Sequence, residues 1–405
     1  MPSANMTVSS RGAAVPPSPI RKLVPYAEQA KAQGVVVHHL NIGQPDVVTP
    51  RRFFDAVATF PDRVLAYGHS AGFHDLRRGM ASYYRRLGYD VDENHVTVTT
   101  GGSEAIIFAL MALCDPGDEV VCFEPFYTNY NGFAVEAAVR LEPIKCEPSD
   151  GYHLPPRDRI ERAIGPRTRA ILICTPNNPT GTVLTAEEMA TLGAIARDRG
   201  LFLISDEAYR EFVYGEVPHT SVLALPDLDD RAVLMDSLSK RYSVCGARIG
   251  CLVTRNADLN RAFLHLGQAR LCSPSLEQHG ALALLSLGDD YFAQVQAEYR
   301  KRRDTVMAEL SRMAGVQART PEGAFYVMAR IGVRDASAFA TWLLTTFRHR
   351  GETVMVAPGD GFYATAGLGA DEIRIAYVLD VARLERAMEC LRLGLEQYRH
   401  LGPTF

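Results

Sequence analysis

The chain has 405 residues, 47% of them hydrophobic, more than one core usually holds, since single cores stop growing near roughly 250–300 residues. Its net charge is −4, with both signs spread along the chain and no basic tract, which argues against a nucleic-acid groove or an anionic membrane surface as partner. No stretch reads as a signal peptide or membrane span, and the eight cysteines lie mostly inside apolar runs without CxxC pairing, so the expectation is a cytoplasmic protein with buried, reduced thiols and no metal site.

Residues 1–18, rich in Ser, Ala and Pro, read as a flexible arm. Ser18 and Pro19 predict the start of a helix with Ile20, Leu23, Ala27 and Ala30 on one face and Gly34 at its end. VVVHHLN reads as a strand that runs into an irregular loop at Gly43–Gln44–Pro45–Asp46, where backbone N–H groups are left exposed. A helix follows near Arg51 to Phe60, and Leu76, Met80, Tyr83, Tyr84 and Leu87 mark an amphipathic one. From His95 the pattern becomes short apolar strands alternating with helices: HVTVTT, EVVCFEP, RLEPIKC, RAILICT, LFLISD, AVLMD and RIGCLVT. That alternation predicts an α/β fold with a mostly parallel seven-stranded sheet. A capping box at TAEE starts a helix near Thr185 that ends at Gly200. Beyond Arg255 the chain reads as helical to Gly315, then as strands at 319–333, 353–356 and 372–378 around helices at 336–350 and 381–400. The division expected is a large domain at 46–294 and a smaller α+β domain combining 19–45 with 295–405.

Several stretches carry chemistry. Ser237 to Gly250, SLSKRYSVCGARIG, gathers Lys240 with serines and arginines around a sharp turn. A primary amine that attacks a carbonyl must be partly neutral, so burial or cationic neighbours such as Arg241 and Arg248 would lower its pKa. Ser237, Ser239 and the planar fork of Arg248 could together bind a phosphate. HVTVTT followed at once by GGSEA places Gly102 and Ser103 at a helix N-terminus, where free N–H groups and the helix dipole favour an anion. LFLISDEAY leaves Asp206 and Tyr209, and ILICTPNNPTG leaves Asn178, just beyond the carboxyl ends of strands, the edge at which open parallel sheets bind ligands. Asp206 there could be a metal ligand, a general base, or a permanent anion that keeps a ring nitrogen protonated; its company favours the last, because only Glu207 stands near it as a second carboxylate.

Taken together, NIGQPD, YGHSAGFHDLR, TTGGSEA, EPFY, TPNNPTG, SDEAY, SLSKRYSVCGARIG and DEIRIAYV resemble, in order and spacing, the class I and II aminotransferases, pyridoxal-phosphate enzymes of fold type I. The resemblance covers about residues 18–400. It implies that Lys240 forms the internal Schiff base with the cofactor and serves as general base and acid. It implies that Asp206 pairs with the pyridinium nitrogen and that Asn178 and Tyr209 bond the phenolate oxygen. Gly102, Ser103, Ser237, Ser239 and Arg248 would hold the phosphate, joined by Tyr67 of the partner subunit in a homodimer with shared sites. Tyr127 would lie against the ring. Arg374, helped by the backbone of Gly43, would bind the substrate α-carboxylate; its flanks Ile373 and Ile375 suggest a buried stretch in which an unpaired guanidinium is costly. One aspartate aminotransferase subgroup has a lysine after the two glycines to read the distal carboxylate, whereas Ser103 stands here; another uses a partner-subunit arginine, for which Arg270 is the candidate. The expected reaction is ping-pong transfer between an amino acid, aspartate or glutamate favoured, and a 2-oxo acid such as 2-oxoglutarate. The same residues would serve a lyase, decarboxylase or cyclase of a biosynthetic pathway. A non-catalytic regulator domain is disfavoured, because the residues for catalysis are all present.

Overall fold

The computed structural model describes residues 8–401. Thirteen strands occur in chain order: β1 (Val36–His39), β2 (Val96–Thr100), β3 (Glu119–Glu124), β4 (Arg140–Lys145), β5 (Thr168–Cys174), β6 (Phe202–Asp206), β7 (Ala232–Ser237), β8 (Ile249–Val253), β9 (Gln317–Ala318), β10 (Tyr326–Arg330), β11 (Glu352–Met355), β12 (Ala357–Pro358) and β13 (Glu372–Ala376). The central sheet has the order β2-β8-β7-β6-β5-β3-β4. Strand β8 is antiparallel to both neighbours and every other pairing is parallel. Along each strand successive apolar residues enter different cores: Val121, Ile171, Leu203 and Leu234 face one layer of helices, and Val120, Leu172, Ile204 and Val233 face the other. A strand buried on both faces must be apolar at every position, which is why these segments read as continuous hydrophobic runs.

This order places the site. Because β8 runs against β7 and β2 runs against β8, the carboxyl ends of β2, β5, β6 and β7 and the amino end of β8 meet at one edge. Gly101, Asp206, Ser237 and Arg248 therefore converge there although 147 positions separate the first from the last in sequence (101 to 248). Gly250 makes the packing possible, since a Cβ on it would stand 2.7 Å from the Gly101 carbonyl carbon and 2.8 Å from the Asp236 oxygen.

The remaining strands form an antiparallel sheet, β12-β13-β10-β9, and a parallel pair, β1-β11. Helices Val24–Ala32, Asp289–Ser311, Ala336–Thr345 and Val381–His400 bury a second core against them around Tyr299, Phe325, Phe339 and Leu391. Three details differ from expectation. Of the expected arm, residues 1–7 lie outside the described residues, and Ser10–Ala14 is a short helix capped by Ser9. The next helix starts at Val24 rather than at Ser18; residues 18–23 are turns in which the Arg21 and Lys22 N–H groups both donate to the Ser18 oxygen. Residues 319–325 are not strand: the Glu322 and Gly323 N–H groups instead donate to the Gly181 carbonyl. Among the described residues no helix is long and apolar enough to cross a membrane.

Candidate active site

A cavity of about 600 Å³ opens at the converging strand ends and reaches to β10 and β13. Gly43, Gly102, Ser103, Tyr127, Asn178, Asp206, Tyr209, Ser237, Ser239, Lys240, Arg248 and Arg374 all line it. Lys240 sits in the short helix Leu238–Arg241 that follows β7, and its Nζ donates to the Gly43 carbonyl at 2.7 Å, with the Cys245 sulfur 3.6 Å away. Burial lowers its pKa and the Arg374 and Arg248 charges lower it further, against an opposing pull from Cys245. Arg241, expected to contribute, turns away: it is buried and pairs with Asp236 at 2.5 Å over the Tyr83 ring.

Asp206 is the last residue of β6. Burial pushes its carboxyl up to about 7, although the Tyr130 hydroxyl on Oδ2 (2.7 Å) and the Ala208 N–H on Oδ1 (3.2 Å) both pull it down. A buried carboxylate in this state is stabilised by a cation on its cavity side.

Across the cavity Arg374 of β13 is almost wholly buried, 1% exposed, between the rings of Tyr326 and Phe362 at 4.4 and 4.8 Å. Nη1 donates to Asn178 Oδ1 at 2.9 Å and Nη2 to the Asn41 carbonyl at 2.6 Å, while Nε has no partner. Desolvation lowers its pKa, and the only groups opposing that are tyrosines. A buried guanidinium with no counter-anion among the described residues, and with one donor free, suits a carboxylate. Asn178 accepts from Arg374 through its oxygen, leaving its amide N–H groups to donate; Tyr209 and Tyr326 share a hydroxyl–hydroxyl bond of 2.8 Å.

The third region is anionic in preference. Helix Gly101–Leu113 points its N-terminus at the cavity, and Gly101 is held at φ +75°, where a Cβ would collide with the Arg248 guanidinium at 2.5 Å. Arg248 itself takes the left-handed conformation, φ 54°, which is uncommon for a residue with a side chain. The buried Ser239 hydroxyl has no partner, and Ser237 Oγ accepts the Ser239 N–H at 3.2 Å. Free helix N–H groups, an orphan hydroxyl and an arginine fork together suit a phosphate.

Two expected residues lie elsewhere. Tyr67 is 80% exposed, outside its own chain's cavity. Arg270, expected to act from the partner subunit, lies outside its own chain's cavity, where its guanidinium grips both oxygens of Glu104 at 3.1 Å and also bonds the Val98 carbonyl. Glu104 in turn accepts the Thr100 N–H at 2.7 Å, so within its own chain Arg270 braces the start of the helix, with Nη1 left unpartnered. Sequence reading missed Tyr130, Tyr326, Asn41 and Arg21. Tyr130 stands in the first turn of the helix Asn129–Ala137, three positions after Tyr127, and had a signal in that proximity; the others reach the site only through tertiary packing.

Over residues 36–391 the sequence matches the family described as Aminotransferase class I and II. The chain belongs to the class I and II aminotransferases. It is 30% identical over 386 residues to an aspartate aminotransferase of Musicola paradisiaca, covering 92% of each chain. Among solved structures it resembles the Thermotoga maritima aspartate aminotransferase, with a TM-score of 0.88 and 29% identity over 96% of this chain and 100% of that one. The alanine aminotransferase of Pyrococcus furiosus is nearly as similar, at TM-score 0.87 and 27% identity over the same shares. This aminotransferase thus has the fold type I architecture expected from its motifs, and enzymes of its family work with pyridoxal phosphate.

Proposed function

We propose that this aminotransferase moves the amino group of aspartate or glutamate to a 2-oxo acid such as 2-oxoglutarate, by a ping-pong reaction on pyridoxal phosphate. The observation that carries the reading is one cavity in which a lysine of lowered pKa stands between a phosphate-type cradle and a buried arginine with a free donor. The residues present suit the cofactor. Its phosphate would rest on Gly102, Ser103, Ser237, Ser239 and Arg248, its ring nitrogen on Asp206, its phenolate oxygen on Asn178 and Tyr209, and its ring face on Tyr127. Bound pyridoxal phosphate supplies an aldehyde that joins amines and a ring that accepts the electrons released at Cα.

The chain's own residues do the rest. Arg374 and the Gly43 backbone hold the α-carboxylate, and the Asn41 and Asn178 bonds fix the fork in place so that little orientation is lost on binding. Burial lowers the pKa of Lys240 Nζ, which favours the neutral amine that reacts and that takes the proton from the substrate Cα. Asp206 supplies the negative charge that keeps the ring nitrogen protonated, and the cation in return restores its ionisation.

A homodimer accompanies this reading, with Tyr67 of the partner subunit reaching the phosphate. Val64, Leu65 and Tyr67, 73%, 61% and 80% exposed, form an apolar run on the surface that supports it. The test is steady-state: initial rates with aspartate at several fixed 2-oxoglutarate concentrations give parallel double-reciprocal lines, and the holoenzyme sediments at twice the 44.6 kDa chain mass. Intersecting lines contradict the ping-pong assignment, and a single-chain mass contradicts the shared site.

A further inference from the structure

The residues above assign a place to the cofactor and to the α-carboxylate but none to a second acidic group on the substrate. Four cationic side chains line the cavity, Arg21, Lys240, Arg248 and Arg374, against one carboxylate, Asp206. In the proposed reaction Lys240 joins the cofactor, Arg248 faces its phosphate and Arg374 takes the α-carboxylate. Arg21 is the cation left over. Its guanidinium makes no hydrogen bond or ion pair to any described residue, and it is exposed and lines the cavity.

Its backbone is held on both sides. Ile20 is buried against Met328, Phe362 and Tyr363, and its carbonyl accepts from Asn41 Nδ2 at 3.4 Å. Leu23 is 2% exposed, and Lys22 Nζ bonds Ser337 Oγ at 2.9 Å. Phe362, on which Ile20 packs, is the ring that covers Arg374. Asn41, which bonds the Ile20 carbonyl, also accepts from Arg374 through its own carbonyl. The segment carrying Arg21 is therefore braced by the same residues that brace the α-carboxylate site. Arg374, Arg248 and Arg21 line one cavity with Tyr127, and each of the three charges pulls the Tyr127 pKa down against the rise caused by burial. Of the two sequence candidates for reading a distal carboxylate, the lysine is replaced by Ser103, and Arg270 does not line its own chain's cavity but pairs with Glu104.

We propose that Arg21 binds the side-chain carboxylate of the substrate, so that the turn Ser18–Leu23 sets the preference for dicarboxylic amino and oxo acids. This rests on the aspartate/glutamate reading above. A planar fork on a carboxylate gives two charge-assisted bonds, and removing one such partner typically weakens binding about 10- to 100-fold.

The test titrates holoenzyme calorimetrically with succinate and with propionate, the latter lacking the second carboxylate, for the wild type, Arg21→Gln and Arg21→Lys. Arg21→Gln is expected to bind succinate about 10- to 100-fold more weakly with propionate changed less than about threefold, and to lose kcat/KM for aspartate but not for alanine. Arg21→Lys, which keeps the charge without the fork, falls between. Equal weakening of both acids, or an unchanged succinate preference in Arg21→Gln, overturns the role of Arg21 while leaving a dicarboxylic substrate standing. A wild type that does not distinguish succinate from propionate overturns the dicarboxylic reading and this proposal with it.

Discussion

Arg374 shows how a single residue can be read twice. Its apolar flanks in the sequence point to burial, and burial of an arginine without a partner points to a missing anion. The structure adds what the flanks could not carry: the Asn178 and Asn41 bonds that orient it and the two rings that desolvate it. Arg374→Lys keeps the charge but loses the fork and the stacking geometry. We expect kcat/KM for every amino acid to fall about 100-fold or more, corresponding to roughly 3 kcal/mol of lost binding from two charge-assisted bonds, with no change in the cofactor's absorption. An unchanged kcat/KM would place the α-carboxylate elsewhere. Lys240, Asp206 and Arg248 were legible from local motifs because each stands at a strand end beside glycine or serine. Tyr326 and Asn41 were not, because ordinary strand and loop residues become part of a site only when β10 and β1 are brought against it. Arg241 misled for the same reason: adjacency in sequence does not say which way a side chain turns.

Among the elements, the helix at Ala186–Arg199 came out of the sequence nearly intact, since Thr185 and Glu188 form a reciprocal capping box and Gly200 closes it at φ 67°. The N-terminal helix did not, and Pro25 is the reason. Proline fits the first turn of a helix that begins at Val24, but in one running from Ser18 it would stand in the interior, without an N–H and against the Arg21 carbonyl. The displaced start leaves residues 18–23 as turns and so brings Arg21 to the cavity. Glu188 also serves a second contact. His153 Nδ1 lies 3.0 Å from Glu188 Oε2 and its Nε2 3.6 Å from Glu322 Oε1, tying the loop before one helix to the loop before β10. The bonds to Glu188 and then Glu322 raise the His153 pKa to about 10. Its folded value thus lies above the unfolded value of about 6.5, so its stabilisation is complete below about pH 6.5 and fades as pH rises through about 10. The urea midpoint of His153→Gln should therefore fall furthest below wild type at pH 6 and approach it by pH 10. A gap independent of pH would mean that packing, not charge, is what the histidine provides.

At the scale of the whole molecule, seven apolar runs alternating with helices were enough to indicate an α/β fold with a mostly parallel sheet. The order of the strands was not legible, because a strand buried on both faces has the same composition whichever way it runs. Yet the insertion of antiparallel β8 between β2 and β7 is what carries Arg248 to the edge where Gly101 and Asp206 lie. The apolar run at Val64–Tyr67 is likewise without a core role in its own chain, and the dimer we propose gives it one. In the proposed reaction Lys240 serves the transfer of an amino group from substrate to cofactor, and the reaction goes no further until an oxo acid arrives. Its most direct test mixes holoenzyme with aspartate or glutamate in the absence of any oxo acid, following the cofactor's visible absorption and the keto acid released. The expected result is loss of that absorption with one equivalent of keto acid per chain, full recovery on adding 2-oxoglutarate, and neither event in Lys240→Ala. Continued product release without an added oxo acid, or turnover retained in Lys240→Ala, would contradict it.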